Sequence, residues 1–517
     1  MIMLSLEEKK EIGYQFVRDL LEPVSPYGVK RLREEGFYAP DRKAELEREL
    51  DDVALLKKAL ESDRTAMMDL RQKMAGLKDL SGTFSRCLDG FVLTEVELFE
   101  LCSFCRRINE MIPAALRLQA YGDTDDITFT SMEKPMKILC PDGNNRIGFY
   151  IEDTRTSELH EARKRKRDLE KQIRMQVNPD MLHTIQSRQQ DKDGNLLRQR
   201  QEAAAAEEKA LAAIYTDLSE ALCPYMPLFR MNADAAARLD AALAKAILAD
   251  RFDCVRPNVG GSEMILLDAV HPQVAAALET DKRSFSPVTV RMPKGVTVLT
   301  GANMGGKSVA LRTVVLNAAL ALSGCFVFCR EASVPVFERI DLISRDLSDM
   351  EIGLSSFGAE IIRFNETAAQ IPDNGLALIA MDEFARGTNA GEGAAIVKAA
   401  VKYLSGKNAV TLLATHYDGA AEFAAKHYQV KGLRKNGKKR SEDEGNLPKA
   451  DEKTYSDQRP AGLPERKYPA EVLRRIGNAM DYGLIEVPPG TECPRDAVMI
   501  CRMLDLPDEI LNEIGNE

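Results

Sequence analysis

The sequence predicts a multidomain chain: an N-terminal all-α region, then an α/β domain with a mostly parallel sheet. Three observations predict it. Residues 1 to about 250 place apolar side chains at helical spacing almost throughout. From about residue 252, short apolar, β-branched runs alternate with helical patterns and Gly-rich turns, the signature of a parallel sheet covered by helices. And residues 301–308 read GANMGGKS, between one such run and one such helix.

In the helical half, DRKAELERELDDVALLKKALESD carries Leu46, Leu50, Val53, Leu56 and Leu60 on one face. VLTEVELFELCSFCRRINEMI repeats the pattern, and Thr94 with Glu97 offers a capping box at its start. The stretch ITFTSMEKPMKILCPDGNNRIGFYIED reads as a short β-like interruption, with a turn at Asp142-Gly143-Asn144. LHEARKRKRDLEKQIRMQV then resumes as a highly charged helix, and Asp191-Lys192-Asp193-Gly194 separates it from NLLRQRQEAAAAEEKALAAIYTDLSEAL. Two long helices around a short polar tip predict an antiparallel arm. Arg163 to Arg167 is a run of five basic residues, to be read as a solvated helix face or a phosphate-binding stripe. We therefore expect a helical core domain with a short β insertion over 1–150, lever helices with a shortened clamp tip over 151–251, and the α/β domain over 252–517. That last domain is interrupted at 431–467, a polar stretch whose first ten residues include six Lys or Arg.

Bulk properties bound the function. With 517 residues the chain is too long for one core, and 44% hydrophobic with 29% charged residues is globular composition. No apolar run is long enough to span a bilayer, so no membrane partner is expected. Ten scattered cysteines, several in apolar contexts, argue for reduced thiols and a cytoplasmic location. Cys102 and Cys105 form a CxxC in a helical context with no second pair beside it, which reads as buried thiols rather than a zinc or redox site. A net charge of −10 means that any nucleic-acid surface must be local.

The chemistry-bearing residues lie in the α/β half. VTVLTGANMGGKSVALRTVV fits G-x-x-x-x-G-K-[ST] between a strand and a helix, the context that motif requires. Gly301, Gly305 and Gly306 let backbone N–H groups face phosphate oxygens, and the helix that follows presents its positive end. Lys307 then reaches the β- and γ-phosphates of a nucleotide, and Ser308 ligates Mg2+. Further on, LALIAMDEFARGTNAGEG brings a strand to Asp382 and Glu383. Asp382 suits the Mg2+ shell and Glu383 the orientation of an attacking water. His416, ending the strand AVTLLATH, is placed to meet the γ-phosphate or that water.

LTGANMGGKSVALRTV, DEFARGTNAGEG and ATHY resemble the ATPase domain of the MutS family, an ABC-type dimeric ATPase. The resemblance covers about 252–428 and resumes at 480–512, with CVRP and LLDAVHP similar to the family's entry to the domain. It implies ATP and Mg2+ as cofactors, with Asn303 and Met304 in the phosphate loop. It implies a second MutS-like ATPase chain as partner, a copy or a paralogue. EIGLSSFGAEIIRFNETA is similar to the signature segment whose serine reaches the partner's γ-phosphate, which places Ser355 there, with Ser356 as the alternative. It also implies that Phe285 in SFSPVTV stacks on adenine. Set against the family, the sequence is expected to lack a counterpart of the mismatch-wedging domain and the C-terminal appendage, to carry a short lever, and to add a basic loop at 431–440. Two functions follow. The first is a short family member acting on DNA in repair or recombination, without expected mismatch specificity. The alternative is an ATP-dependent reactivating chaperone for a cobalamin-dependent amino-acid aminomutase, which short MutS-like proteins suggest.

Overall fold

The computed structural model describes residues 4–124, 127–141, 151–153, 155–177, 195–301, 306–344, 356–433 and 480–493, with isolated positions between 498 and 511. Helices α1 (Leu6–Glu11), α2 (Tyr14–Asp19), α3 (Pro26–Glu34), α4 (Lys43–Ser62), α5 (Arg64–Ala75), α6 (Ser81–Leu88), α7 (Glu95–Arg117) and α8 (Glu133–Leu139) come first. They are followed by α9 (Ser157–Val177), α10 (Asn195–Leu222), α11 (Met226–Arg251), α12 (Pro272–Thr280), α13 (Lys307–Leu322), α14 (Ser356–Ala369) and α15 (Ala390–Ser405). The strands are β1 (Asn258–Val259), β2 (Met264–Ala269), β3 (Val288–Met292), β4 (Gly295–Thr300), β5 (Glu331–Val334), β6 (Arg339–Ile343), β7 (Ala377–Asp382), β8 (Ala409–Thr415), β9 (Lys426–Leu433) and β10 (Met480–Glu486). A helical region thus precedes an α/β domain with a mostly parallel sheet.

The chain folds into two compact, discontinuous units: 1–22, 35–57 and 244–517 form one, 23–34 and 58–243 the other. The first 22 residues join the α/β unit through long-range pairing that no local pattern announces. Glu11 accepts from Arg312 of α13 at 3.0 Å and from the Ser344 hydroxyl at 2.7 Å, and Glu8 pairs with Arg363 of α14.

In the α/β unit six strands line up as β10-β9-β4-β8-β7-β6, parallel except for β10, which runs antiparallel to β9. A second sheet orders β1-β5-β2-β3. Every residue of β4 and β8 is buried, as strands covered on both faces must be. α13 is buried nearly all round, which explains why its apolar residues show no single face. Val298, Met381, Phe384, Val397 and Leu413 belong to one core cluster between the sheet and α15.

In the helical unit Phe84 of α6, Phe104 of α7 and Phe229 of α11 form a ring cluster with centroids 5.6–6.0 Å apart, an apolar centre for three helices. Thr94 and Glu97 make the expected capping box on α7. α9 and α10 run antiparallel: Arg163 meets Glu207 at 3.0 Å while Arg200 meets Glu170 at 3.1 Å, so one index rises as the other falls. The tip at 178–194 lies outside the described residues.

Within the stretch expected to be β-like, residues 133–139 form α8 instead, and no strand occurs among the described residues of the stretch, which leave out 142–150. Met132, Pro135 and Leu139 are buried at helical spacing, and Pro135 sits in the first turn, where its missing N–H costs nothing. The turn at 142–144 lies outside the described residues.

Candidate functional site: a phosphate loop at the ends of three strands

Sheet register assembles the site. Thr300 at the end of β4 lies opposite Thr415 of β8, and Ala414 of β8 lies opposite Asp382 of β7. The residues that follow these ends therefore emerge together at the C-terminal edge of the sheet, the usual ligand edge of an open α/β sheet.

After β4 the chain leaves through Gly301 (φ 153°) and returns through Gly306 (φ 89°) into α13. Both torsions suit glycine. Gly306 has a second reason: a Cβ there would lie 3.0 Å from the Tyr482 ring of β10. Lys307 is buried, with its Nζ donating to the Gly301 carbonyl at 2.7 Å and lying 3.9 Å from Glu383. Burial pushes the lysine pKa down, and the charges of Glu383 and Asp382 oppose the shift. The Ser308 hydroxyl bonds to the Asp382 carboxylate. Burial pushes the Asp382 pKa up, against that hydrogen bond.

Glu383 and Ala385 occupy the left-handed region, at φ 53° and 60°. Non-glycine residues held there mark an over-determined backbone. Here the Glu383 N–H donates to Ala414 O at 2.9 Å, and the Ala385 N–H to the Glu360 carboxylate at 2.9 Å. The conformation turns the Glu383 side chain toward Lys307 and Arg386, with which it pairs. His416 packs its ring 4.4 Å from Tyr417, and the Tyr417 hydroxyl donates to Ala385 O at 3.2 Å. Burial lowers the His416 pKa, which favours the neutral imidazole.

The structure thus brings together Gly301, Gly306, Lys307, Ser308, Asp382, Glu383 and His416. Asn303, Met304, Gly305 and Ser355 lie outside the described residues, and Ser356 opens α14. Phe285 lies partly buried between α12 and β3. Sequence reasoning missed Glu360, Arg386 and Tyr482. The charge at 386 sits in plain view three residues after Glu383, but Glu360 and Tyr482 arrive from elements distant in sequence.

The residues present fit a magnesium nucleotide. Asp382 Oδ1 and His416 Nδ1 are buried, yet among the described residues neither has a hydrogen-bond partner. Buried polar atoms of this kind call for a donor or a cation. A hydroxyl and a carboxylate side by side, as at Ser308 and Asp382, are donors of the kind Mg2+ takes together with phosphate and water oxygens.

A mostly parallel sheet with a phosphate loop at its carboxyl edge, backed by two acidic residues, defines a P-loop ATPase domain. Residues 297–458 match the family model of MutS domain V, an ABC-type P-loop ATPase domain. The chain is 28% identical over 279 residues to the DNA mismatch repair protein MutS of Bacillus pumilus, covering 53% of this chain and 31% of that protein. Against the MutS of an Anaeromyxobacter species it is 32% identical over 244 residues, 44% of this chain and 27% of the other. Against that of Natronomonas pharaonis it is 34% identical over 203 residues, 39% of this chain and 23% of the other. The chain spans about a third or less of the length of these curated relatives. Among the described residues no helix is long and apolar enough to cross a membrane.

Proposed function

We propose that this chain is a Mg-ATP-dependent ATPase that works as a pair of ATPase domains and couples nucleotide turnover to movement of its long helices on DNA, in repair or recombination. The catalytic half rests on one observation, the meeting of Lys307, Ser308, Asp382, Glu383 and His416 at three adjacent strand ends. Lys307 pairs with the β- and γ-phosphates, within a loop built from Gly301, Asn303, Met304, Gly305 and Gly306, and Phe285 packs on adenine. Ser308 and Asp382 hold Mg2+, whose charge neutralises the phosphate oxygens when bound. Glu383 orients the attacking water and draws off its proton, and neutral His416 offers a hydrogen bond to the γ-phosphate or the water. Ser355 of a second chain, a copy or a paralogue, completes the site.

The DNA half is supported by what the relatives' names say of them, DNA mismatch repair. Mismatch specificity is not part of the proposal. The ten cysteines, all free, suit a cytoplasmic protein.

A second reading, a reactivating chaperone for a cobalamin-dependent aminomutase, is favoured by one observation. Asp153 and Glu207 pair with Arg163, Lys166 and Arg167 at 2.7–3.0 Å, so three of the five basic residues of the stripe already share two carboxylates within the chain. Lys431 likewise lies 3.5 Å from Asp481, and the basic residues at 434–440 lie outside the described region.

Salt-titrated duplex binding decides between them. Each phosphate neutralised contributes about 0.9 to the slope of log affinity against log salt, so three or four engaged cations give a slope of about −3. Replacing the 431–440 run with Ser and Gly is expected to flatten that slope. Absence of duplex binding at low salt, with ATPase activity raised instead by an aminomutase, would overturn the DNA reading.

A further inference from the structure

Cys102 lies on α7, and Cys140 follows the last turn of α8. Their sulfurs are 3.0 Å apart. A disulfide holds its sulfurs at about 2.05 Å, so a shift of about 1 Å separates the pair from a covalent bridge. Cys102 is buried and Cys140 is partly exposed. Such a pair offers one sulfur that an oxidant reaches and one that resolves the product. Arg155 donates to the carbonyls of Ile138 at 2.8 Å and Leu139 at 3.2 Å, which brings its guanidinium beside Cys140. Cys105, one turn further along α7, is fully buried. Among the described residues no group of three or more His, Cys, Asp or Glu is arranged to hold a metal ion.

We propose that Cys102 and Cys140 form a reversible dithiol–disulfide site that reacts with oxidants of the peroxide class, and that its oxidised form fixes the end of α8 to α7.

The electrostatics suit that role. With Cys140 as the thiolate, the Cys102 thiol is the donor of the hydrogen bond between the sulfurs, and this bond lowers the Cys140 pKa to about 7, against partial burial and with help from Arg106 and Arg155. The same bond and burial push Cys102 up. Burial pushes the thiols of Cys87, Cys105, Cys254, Cys325, Cys329 and Cys493 up as well. Cys140 is therefore the nucleophile. Its thiolate attacks one oxygen of hydrogen peroxide, the O–O bond breaks, and the other oxygen leaves as water after taking a proton. Cys140 is then a sulfenic acid. The Cys102 sulfur attacks that sulfur, an S–S bond forms, the S–O bond breaks, and hydroxide leaves as water with the Cys102 proton. Two thiols lose two electrons and two protons, and one peroxide becomes two waters.

The test uses the full chain, reduced and then exposed to hydrogen peroxide near pH 7, with alkylation of the remaining thiols and peptide mass spectrometry. The expected product is a Cys102–Cys140 linked peptide that dithiothreitol reverses. A thiol of pKa about 8.5 is only about one-tenth thiolate near that pH or less, so Cys140→Ser is expected to slow the loss of reactive thiols at least about fivefold. Cys105→Ser is expected to leave the rate unchanged. Cys102→Ser should accumulate a sulfenic acid at Cys140, captured by dimedone. If that buried substitution prevents folding, the linked peptide from the unaltered chain carries the test. Recovery of both cysteines as free thiols after peroxide, or of Cys140 only as sulfinic acid with no bridge, would overturn the proposal.

Discussion

Lys307 shows how a charged side chain is held ready in a buried setting. Its ammonium sits between a backbone carbonyl and Glu383, and burial weakens its hold on the proton. In the proposed nucleotide complex, phosphate oxygens restore what burial removes. A hydrogen bond to a charged group contributes about 1.5–3 kcal/mol, so Lys307→Ala is expected to weaken nucleotide binding by about tenfold or more, measured with a fluorescent ATP analogue. His271 makes a second point at this scale. It lies 2% exposed beside Ile12, and burial pushes its pKa down to about 4 from the usual 6.5. The folded state therefore favours the neutral ring. Stability from this group is complete above pH 6.5 and is lost as pH falls toward about 4. The full effect is about 3 kcal/mol. Denaturant titrations between pH 7.5 and 4.5 are expected to show this slope, and His271→Gln to flatten it.

Elements explain both what the sequence made legible and what it hid. The phosphate loop was legible because strand, turn and helix follow one another, and each residue type is needed where it stands. The cap on α7 was legible for the same reason. Removing it with Thr94→Ala is expected to cost about 1 kcal/mol in chemical denaturation. Elements whose form depends on distant partners were not legible. α8 reads as β-like because its β-branched and aromatic neighbours dominate the window, whereas Asn109 of α7 accepts from the Met132 N–H at 2.8 Å and anchors its start. Glu360 meets Ala385 across a sequence gap of 25 residues, and Arg363 meets Glu8 across 355. Lys245 of α11 is fully buried, yet donates to Glu35 at 2.7 Å, Glu49 at 2.8 Å and Ser323 O at 3.0 Å. Against the cost of burial, the two carboxylates hold its pKa up. Lys245→Ala leaves buried carboxylates facing each other without the ammonium, and is expected to destabilise the fold by about 3–5 kcal/mol. Lys245→Met paired with Glu49→Leu should recover part of that loss.

At the scale of the whole molecule, we propose that a site assembled from three strand ends hydrolyses ATP and that a second chain completes it. Mixing Ser355→Arg chains with Lys307→Ala chains is expected to restore at most one competent site per pair. Concentration-independent turnover by a demonstrable monomer would contradict the paired arrangement. The net charge of −10 and the pairing of Arg163, Lys166 and Arg167 with two carboxylates weaken the stripe as a duplex-binding surface. None of this alters the chemistry at the strand ends. The most direct measurement there is single-turnover ATP hydrolysis by Glu383→Gln beside its ATP affinity. A residue that positions the water and accepts its proton contributes about 10²–10⁴-fold, so turnover is expected to fall by at least about 100-fold while ATP and Mg2+ stay bound. Hydrolysis by Glu383→Gln at the parental rate would contradict the account.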